Sequence, residues 1–146
     1  MAHIDQADHN FAAGCNCAQA VGAAFAEDEG MARDTALRAM SGFGGGIGRT
    51  GETCGAVSGA VFILGLHFGA DIPGDDPEAK ARLYARVRDF LARFTALHGA
   101  VTCRALLGCD IGTEEGFQRM RAEKMHEIRC AVFVHDAAAL VEQMLQ

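Results

Sequence analysis

Asp76-Pro77-Glu78-Ala79-Lys80-Ala81-Arg82-Leu83-Tyr84-Ala85-Arg86-Val87-Arg88-Asp89-Phe90-Leu91-Ala92-Arg93-Phe94-Thr95-Ala96-Leu97 carries the clearest periodicity in the chain. An aspartate cap, a proline in the first turn and an early acid are the signature of a helix start. Ala79, Leu83, Val87, Phe90, Phe94 and Leu97 then recur at steps of four, four, three, four and three. That spacing lays them along one buried stripe. Lys80, Arg82, Arg86 and Arg93 form the solvated flank.

Working outward, the same kind of signal repeats. Asn16 followed by Gln19 is a capping-box pattern, so a helix starts afresh there after a break at Gly14. The expected segments are Asp5 to Ala13 and Asn16 to Glu27, closed by the solvated turn Glu27-Asp28-Glu29-Gly30. Asp34 reads as the cap of a short helix with Ala36, Leu37 and Met40. Thr53 reads as the cap of the apolar run Ala56 to Leu66, which extends to about Gly69. Thr102 opens a short helix to Gly108, Thr113 opens another, and an amphipathic helix runs from about Arg129 to Leu145. No alternating strand pattern survives. The expected fold is all-α, a single helical domain over residues 1–146, with about five to seven helices and a glycine-rich loop.

Composition narrows the function. In 146 residues, 13 Lys+Arg face 19 Asp+Glu, for a net charge of −6. That balance argues against a nucleic-acid partner and a polybasic membrane tether. The run Ala56 to Leu66 meets His67 and Asp71 well short of the ~20 residues of a membrane span. The N-terminal Met1-Ala2-His3-Ile4-Asp5-Gln6 lacks the basic and apolar stretches of a signal peptide, so the expected location is cytoplasmic. Stable disulfides are uncommon there. Six cysteines in that setting suggest metal binding or thiol chemistry.

Three of the six follow a capping residue: Asn16-Cys17, Thr53-Cys54 and Thr102-Cys103. A thiol in a first helical turn meets unpaired N–H groups and the positive end of the helix dipole, which lowers its pKa and favours the thiolate. Cys130 lies near the start of the last helix. Cys17, Cys54, Cys103 and Cys130 thus fall one per helical segment and meet only through tertiary packing. Four thiolates can hold an iron–sulfur cluster or zinc. Cys15, in the break before Asn16, and Cys109, after Gly108, lack this logic.

Gly46-Ile47-Gly48-Arg49-Thr50-Gly51 fits GxGxxG, but the preceding segment is helical rather than a strand, so a dinucleotide fingerprint is rejected. A phosphate loop fails because Glu52 stands at its lysine position. What remains is a flexible loop leading to Cys54. Gly44, Gly45 and Gly46 are positions where a cofactor can approach closely. Gly55 and Gly59, spaced as GxxxG, would admit a cofactor or a neighbouring helix, and small-residue faces of this kind allow a homodimer.

Cys17 in Asn-Cys-Ala-Gln-Ala-Val, the glycine loop, Cys54-Gly55-Ala56-Val57-Ser58-Gly59, His98-Gly99 with Cys103, and Cys130 together resemble a small redox family named for its C…GCAxxG…C…C pattern. The resemblance runs over nearly the whole chain. The central run here is Cys-Gly-Ala rather than Gly-Cys-Ala, with agreeing flanks. The resemblance implies an all-helical domain with a redox role and four characteristic cysteines, carried over as Cys17, Cys54, Cys103 and Cys130. A similar domain occurs in split-Soret-type cytochromes, where an iron–sulfur centre is the implied occupant.

Three readings follow. In the first, the four cysteines hold an iron–sulfur cluster or another thiolate-bound metal, and electrons pass through it to a redox partner that the sequence does not identify. In the second, the protein is a metal-free thiol/disulfide oxidoreductase, with Cys54 as nucleophile and Cys17 beside it. In the third, the thiols hold structural zinc in an interaction module. His126 and His98 stand at spacings that could add a ligand, and Glu52 could carry protons for Cys54. His67 is expected to reach a carbonyl.

Overall fold

The helix starts read from capping residues are the framework of the molecule, whose computed structural model describes residues 2–146. Among the described residues there are eight α-helices: α1 (His3–Ala12), α2 (Cys17–Phe25), α3 (Arg33–Ala39), α4 (Gly55–Phe68), α5 (Pro77–His98), α6 (Cys103–Leu107), α7 (Glu114–Ala122) and α8 (Ala131–Met144). Tight 3₁₀ turns occupy Glu27–Glu29 and Ser41–Phe43, and a π turn at His126–Cys130 leads into α8. The fold is all-α. Its count exceeds the expected number because the break at Gly14 leaves α1 and α2 as two separate helices.

Four starts match their sequence signals. The Asn16 side chain accepts from the Gln19 N–H at 2.8 Å, and the Asn16 N–H donates to the Gln19 side chain at 3.0 Å, a closed capping box. Asp76, Thr102 and Thr113 each accept a backbone N–H at the start of α5, α6 and α7. Two starts differ. Asp34 lies inside the first turn of α3, whose N-cap is Ala32. Thr53 is not the cap of α4, because Cys54 holds that position. Thr53 instead forms an antiparallel bridge with Thr102, a long-range pairing that local sequence does not encode.

The core lies where α1, α2, α4, α5 and α8 meet, with α2 packed most extensively on α4 and α1. Close approach of α2 and α4 depends on glycine: a Cβ on Gly59 would sit 2.6 Å from the Ala18 carbonyl oxygen, and one on Gly55 2.9 Å from the Ala18 nitrogen. The GxxxG face is therefore used inside the chain and does not present itself to a second copy. On α5, Ala79, Phe90 and Phe94 are buried and Leu83 and Val87 half-buried, as the stripe requires. Leu97, by contrast, is 58% exposed, and at this end of α5 it is His98 that meets α8, through Phe133 and Asp136. Of the flanking cations, Arg82 pairs with Asp76, Arg93 pairs with Asp89, and Arg86 lies 3.9 Å over the Phe68 ring.

Two polar residues fix the N-terminal helix. Asn10, fully buried, donates to the Ala20 carbonyl and accepts from Gln6 and Arg33, so one side chain ties α1, α2 and α3. His3 stands between Asp28 at 2.5 Å and Glu142 at 2.6 Å. Burial opposes its charge, but the two carboxylate hydrogen bonds outweigh burial and raise its pKa above 6.5. A raised folded-state pKa gives stability that is fully present below the unfolded value and lost as pH rises through the folded one. The melting temperature of the wild type should therefore fall as pH rises above about 6.5, relative to a His3→Gln variant, which lacks this titration. Parallel curves would show that the pairing contributes nothing.

Candidate thiol site

Four segments meet around one cavity of about 450 Å³. Cys17, Cys54, Cys103 and Cys130 all line it, together with Gly44, Gly45, Gly46 and Gly55. Leu106, Leu107, Ile111, Phe117, Met120 and Phe133 supply apolar walls. Cys17 is the first residue of α2, Cys103 the first residue of α6, Cys54 the N-cap of α4, and Cys130 the last residue of the π turn before α8. The helix-start logic therefore places these cysteines at neighbouring helix ends. Cys54, Cys103 and Cys130 are buried and Cys17 is half-buried.

Two of the four are joined through the backbone. The Cys54 N–H donates to the Val101 carbonyl at 2.8 Å, and the Cys103 N–H donates to the Glu52 carbonyl at 2.7 Å. These bonds flank the Thr53–Thr102 bridge, so the starts of α4 and α6 move as one unit. A second link comes from the glycine loop. A Cβ on Gly46 would stand 2.6 Å from the Glu52 backbone and 2.8 Å from the Cys103 Cβ. Only glycine lets the loop lie against the cysteine there.

That loop is not the flexible connector expected from its composition. Residues Gly45, Gly46, Ile47, Gly48 and Arg49 have φ of +64°, +68°, +65°, +59° and +63° in succession. Five consecutive left-handed residues are a conformation that L-amino acids avoid at about 1–2 kcal/mol each. The turn is held by Gly48 N–H to Gly42 O at 2.9 Å, Arg49 N–H to Gly44 O at 3.1 Å and Glu52 N–H to Gly46 O at 2.9 Å. The Thr50 hydroxyl braces it against the Gly46 and Ile47 carbonyls.

The electrostatics correct a second expectation. Helix starts favour thiolates, yet burial outweighs them at Cys54 and Cys103. Burial pushes Cys54 up to about 11, although the Ala56 and Val57 N–H groups pull the other way. Burial and the neighbouring thiols Cys54, Cys130 and Cys109 push Cys103 up to about 12. The neighbouring Cys130 thiol, with burial, holds Cys17 well above the ordinary value. Cys17 in turn holds Cys130 below it, against the effect of its own burial.

Other candidate residues separate cleanly. His126 lines the cavity and packs on Phe11 with ring centroids 4.5 Å apart. His98 lies elsewhere, between Phe94 and Phe133, with Nε2 2.8 Å from Asp136. Glu52 is exposed and paired with Arg104 at 3.1 Å, which takes it away from Cys54. Gly59 packs on Ala18 and is absent from the cavity wall. Cys15 is also absent from it, while Cys109 sits beside Met125 and the Gly116 carbonyl. His67 pairs with the carboxylate of Glu29 rather than a carbonyl. Arg49, which the sequence did not mark, lines the cavity and lies 4.7 Å over the Phe117 ring. Among the described residues no group of three His, Cys, Asp or Glu stands in position to hold a metal ion. No described helix is long and apolar enough to cross a membrane.

An all-helical fold that gathers four cysteines from separate helix ends around one apolar cavity defines a class of small thiol-centred proteins. Residues 15–144 match the family model described as "Putative redox-active protein (C_GCAxxG_C_C)", and the chain belongs to that family. No curated protein and no solved structure matches it.

Proposed function

We propose that Cys17, Cys54, Cys103 and Cys130 together hold an iron–sulfur cluster or similar thiolate-bound group, and that the protein transfers electrons through it. What carries this reading is the convergence of four cysteines, distant in sequence, on one cavity. The donor set fits. The thiols are soft ligands, the walls are apolar, and three of the cysteines sit at helix starts that favour negative charge on sulfur. A cation also resolves the cost of the buried thiols, because metal coordination deprotonates a thiol outright. When bound, such a group supplies one-electron transfer. The chain's part is to ligate through the four sulfurs, to exclude water with Leu106, Leu107 and Phe133, and to place positive charge nearby through Arg49.

A structural zinc reading would need the four sulfurs to close to about 2.3 Å around one ion, and it leaves the redox character of the family without a role. A metal-free dithiol reading has one point in its favour, that the Cys17 and Cys130 thiols share the cavity and shift each other in opposite directions. In that reading both thiols lose their protons and one electron each, forming a disulfide as a disulfide or quinone oxidant is reduced.

Anaerobic purification and reconstitution with iron and sulfide, followed by metal analysis and an absorption spectrum, tests the proposal. We expect stoichiometric iron and a broad visible absorption band, both strongly reduced by Cys54→Ser or Cys103→Ser and retained in Cys15→Ser. Colourless protein with substoichiometric iron would sink the cluster reading. A loss of two hydrogens on oxidation, mapped to Cys17 and Cys130, would put the dithiol reading in its place.

A further inference from the structure

The glycine loop contributes more to the cavity than room. Its carbonyl oxygens are taken: Gly42 accepts from Gly48, Gly44 from Arg49, Gly45 from Gly51 and Gly46 from Glu52. Its donors are not. Among the described residues, the backbone N–H groups of Gly44, Gly45 and Gly46 donate to no acceptor, and all three residues line the thiol cavity. Backbone N–H groups are strong donors, and leaving them unpaired away from water is costly, above all at Gly46, which is buried. Successive unpaired N–H groups in a tight turn make a concavity suited to anions.

Charge around the cavity points the same way. The protein carries a net charge of −6, yet no Asp or Glu is among the residues lining this cavity, while Arg49 and His126 are. The Arg49 guanidinium rests on Phe117, and among the described residues it pairs with no carboxylate, unlike Arg82, Arg93, Arg104 and Arg119. The backbone of Arg49 is held at φ +63°, so the turn that frees the three N–H groups also fixes the cation beside them.

We propose that this wall binds a small oxyanion or carboxylate within the thiol cavity, with the N–H groups of Gly44, Gly45 and Gly46 donating to its oxygens and Arg49 supplying the opposite charge. The ligand class is a compact anion, small enough to share about 450 Å³ with the cysteines. The site lies against the thiols, since a Cβ on Gly46 would stand 2.8 Å from the Cys103 Cβ. Binding itself goes beyond the cluster reading and does not require it.

The test is titration of reduced, metal-free protein with inorganic phosphate and with acetate, followed by backbone amide resonances, with chloride at matched ionic strength as control. We expect saturable shifts concentrated at Gly44, Gly45 and Gly46 for at least one probe. Arg49→Gln, which keeps an L-residue at the same strained position, should weaken binding by roughly tenfold or more, and Arg49→Lys should restore part of it. Isothermal titration of the iron-loaded protein should show that the anion still binds. Shifts that do not saturate, that chloride reproduces or that survive Arg49→Gln unchanged would overturn the proposal. Loss of anion binding on iron loading would also overturn it, because the amides would then serve the sulfur atoms of the bound group. Absence of iron loading together with retained anion binding would remove the cluster reading and leave this one standing.

Discussion

Truncating Phe94 to alanine is expected to destabilise the protein by about 3–5 kcal/mol, the usual cost of removing a buried aromatic ring from a core. Phe94 is fully buried, 6.0 Å from the Phe90 ring and 6.2 Å from the Phe133 ring by centroid. It is the residue through which α5 grips α8. Total stabilities are about 5–15 kcal/mol, so this one substitution removes a large fraction. The consequence reaches the site as well, since Phe133 also lines the thiol cavity. Chemical denaturation gives the measurement: a lower midpoint with an unchanged slope is expected. A loss below about 1 kcal/mol, well short of the usual range for such truncations, would show that the core closes around the gap and that α5 is held by other contacts.

Gly46→Ala should have a large effect, because it combines a strained backbone with a clash against atoms that cannot turn away. Its φ is +68°, which costs an L-residue about 1–2 kcal/mol. The new Cβ would also stand 2.6 Å from both the nitrogen and the oxygen of Glu52, backbone atoms that cannot rotate away. Overpacking of this kind costs typically about 1–3 kcal/mol. The Glu52 carbonyl accepts from Cys103, so relief of the clash pulls on the link between Cys54 and Cys103. Gly48→Ala is the matched control, with φ +59° but nothing within 4 Å of its Cβ. Gly46→Ala should therefore lose stability and iron loading well beyond Gly48→Ala. Equal effects would mean that backbone conformation alone matters and that the loop does not position Cys103.

The elements legible in the sequence are those fixed within one helical turn. Asn16, Asp76, Thr102 and Thr113 could be read as caps because a cap is a hydrogen bond to an N–H two or three residues away. Cys17, Cys54 and Cys103 could be grouped because capping residues precede them, and Cys130 joined them through the family pattern. Thr53 misled because its partner, Thr102, is distant in sequence, and no local signal competes with such a pairing. Leu97 has the right spacing for burial, but spacing does not show that His98, beside it, takes the contact with α8. The thiol electrostatics were read with the wrong sign at Cys17, Cys54 and Cys103, since local sequence shows the helix start and hides the burial, and at Cys17 the neighbouring Cys130, that outweigh it. The glycine loop was legible as a place of close approach, which Gly46 makes to Glu52 and Cys103, though not as an ordered left-handed turn with free donors. That property arises from five successive backbone angles and a hydrogen-bond pattern spanning six residues.

The central claim is that Cys17, Cys54, Cys103 and Cys130 act as one site while Cys15 and Cys109 lie outside its wall. Alkylation of the native, anaerobically reconstituted protein, read cysteine by cysteine in a mass spectrometer, tests it most directly. The expected result is joint protection of the four, lost together when a chelator strips the bound group, with Cys15 modified at the same rate before and after. Protection of the four at unrelated rates, unchanged by loading or stripping, would contradict the claim.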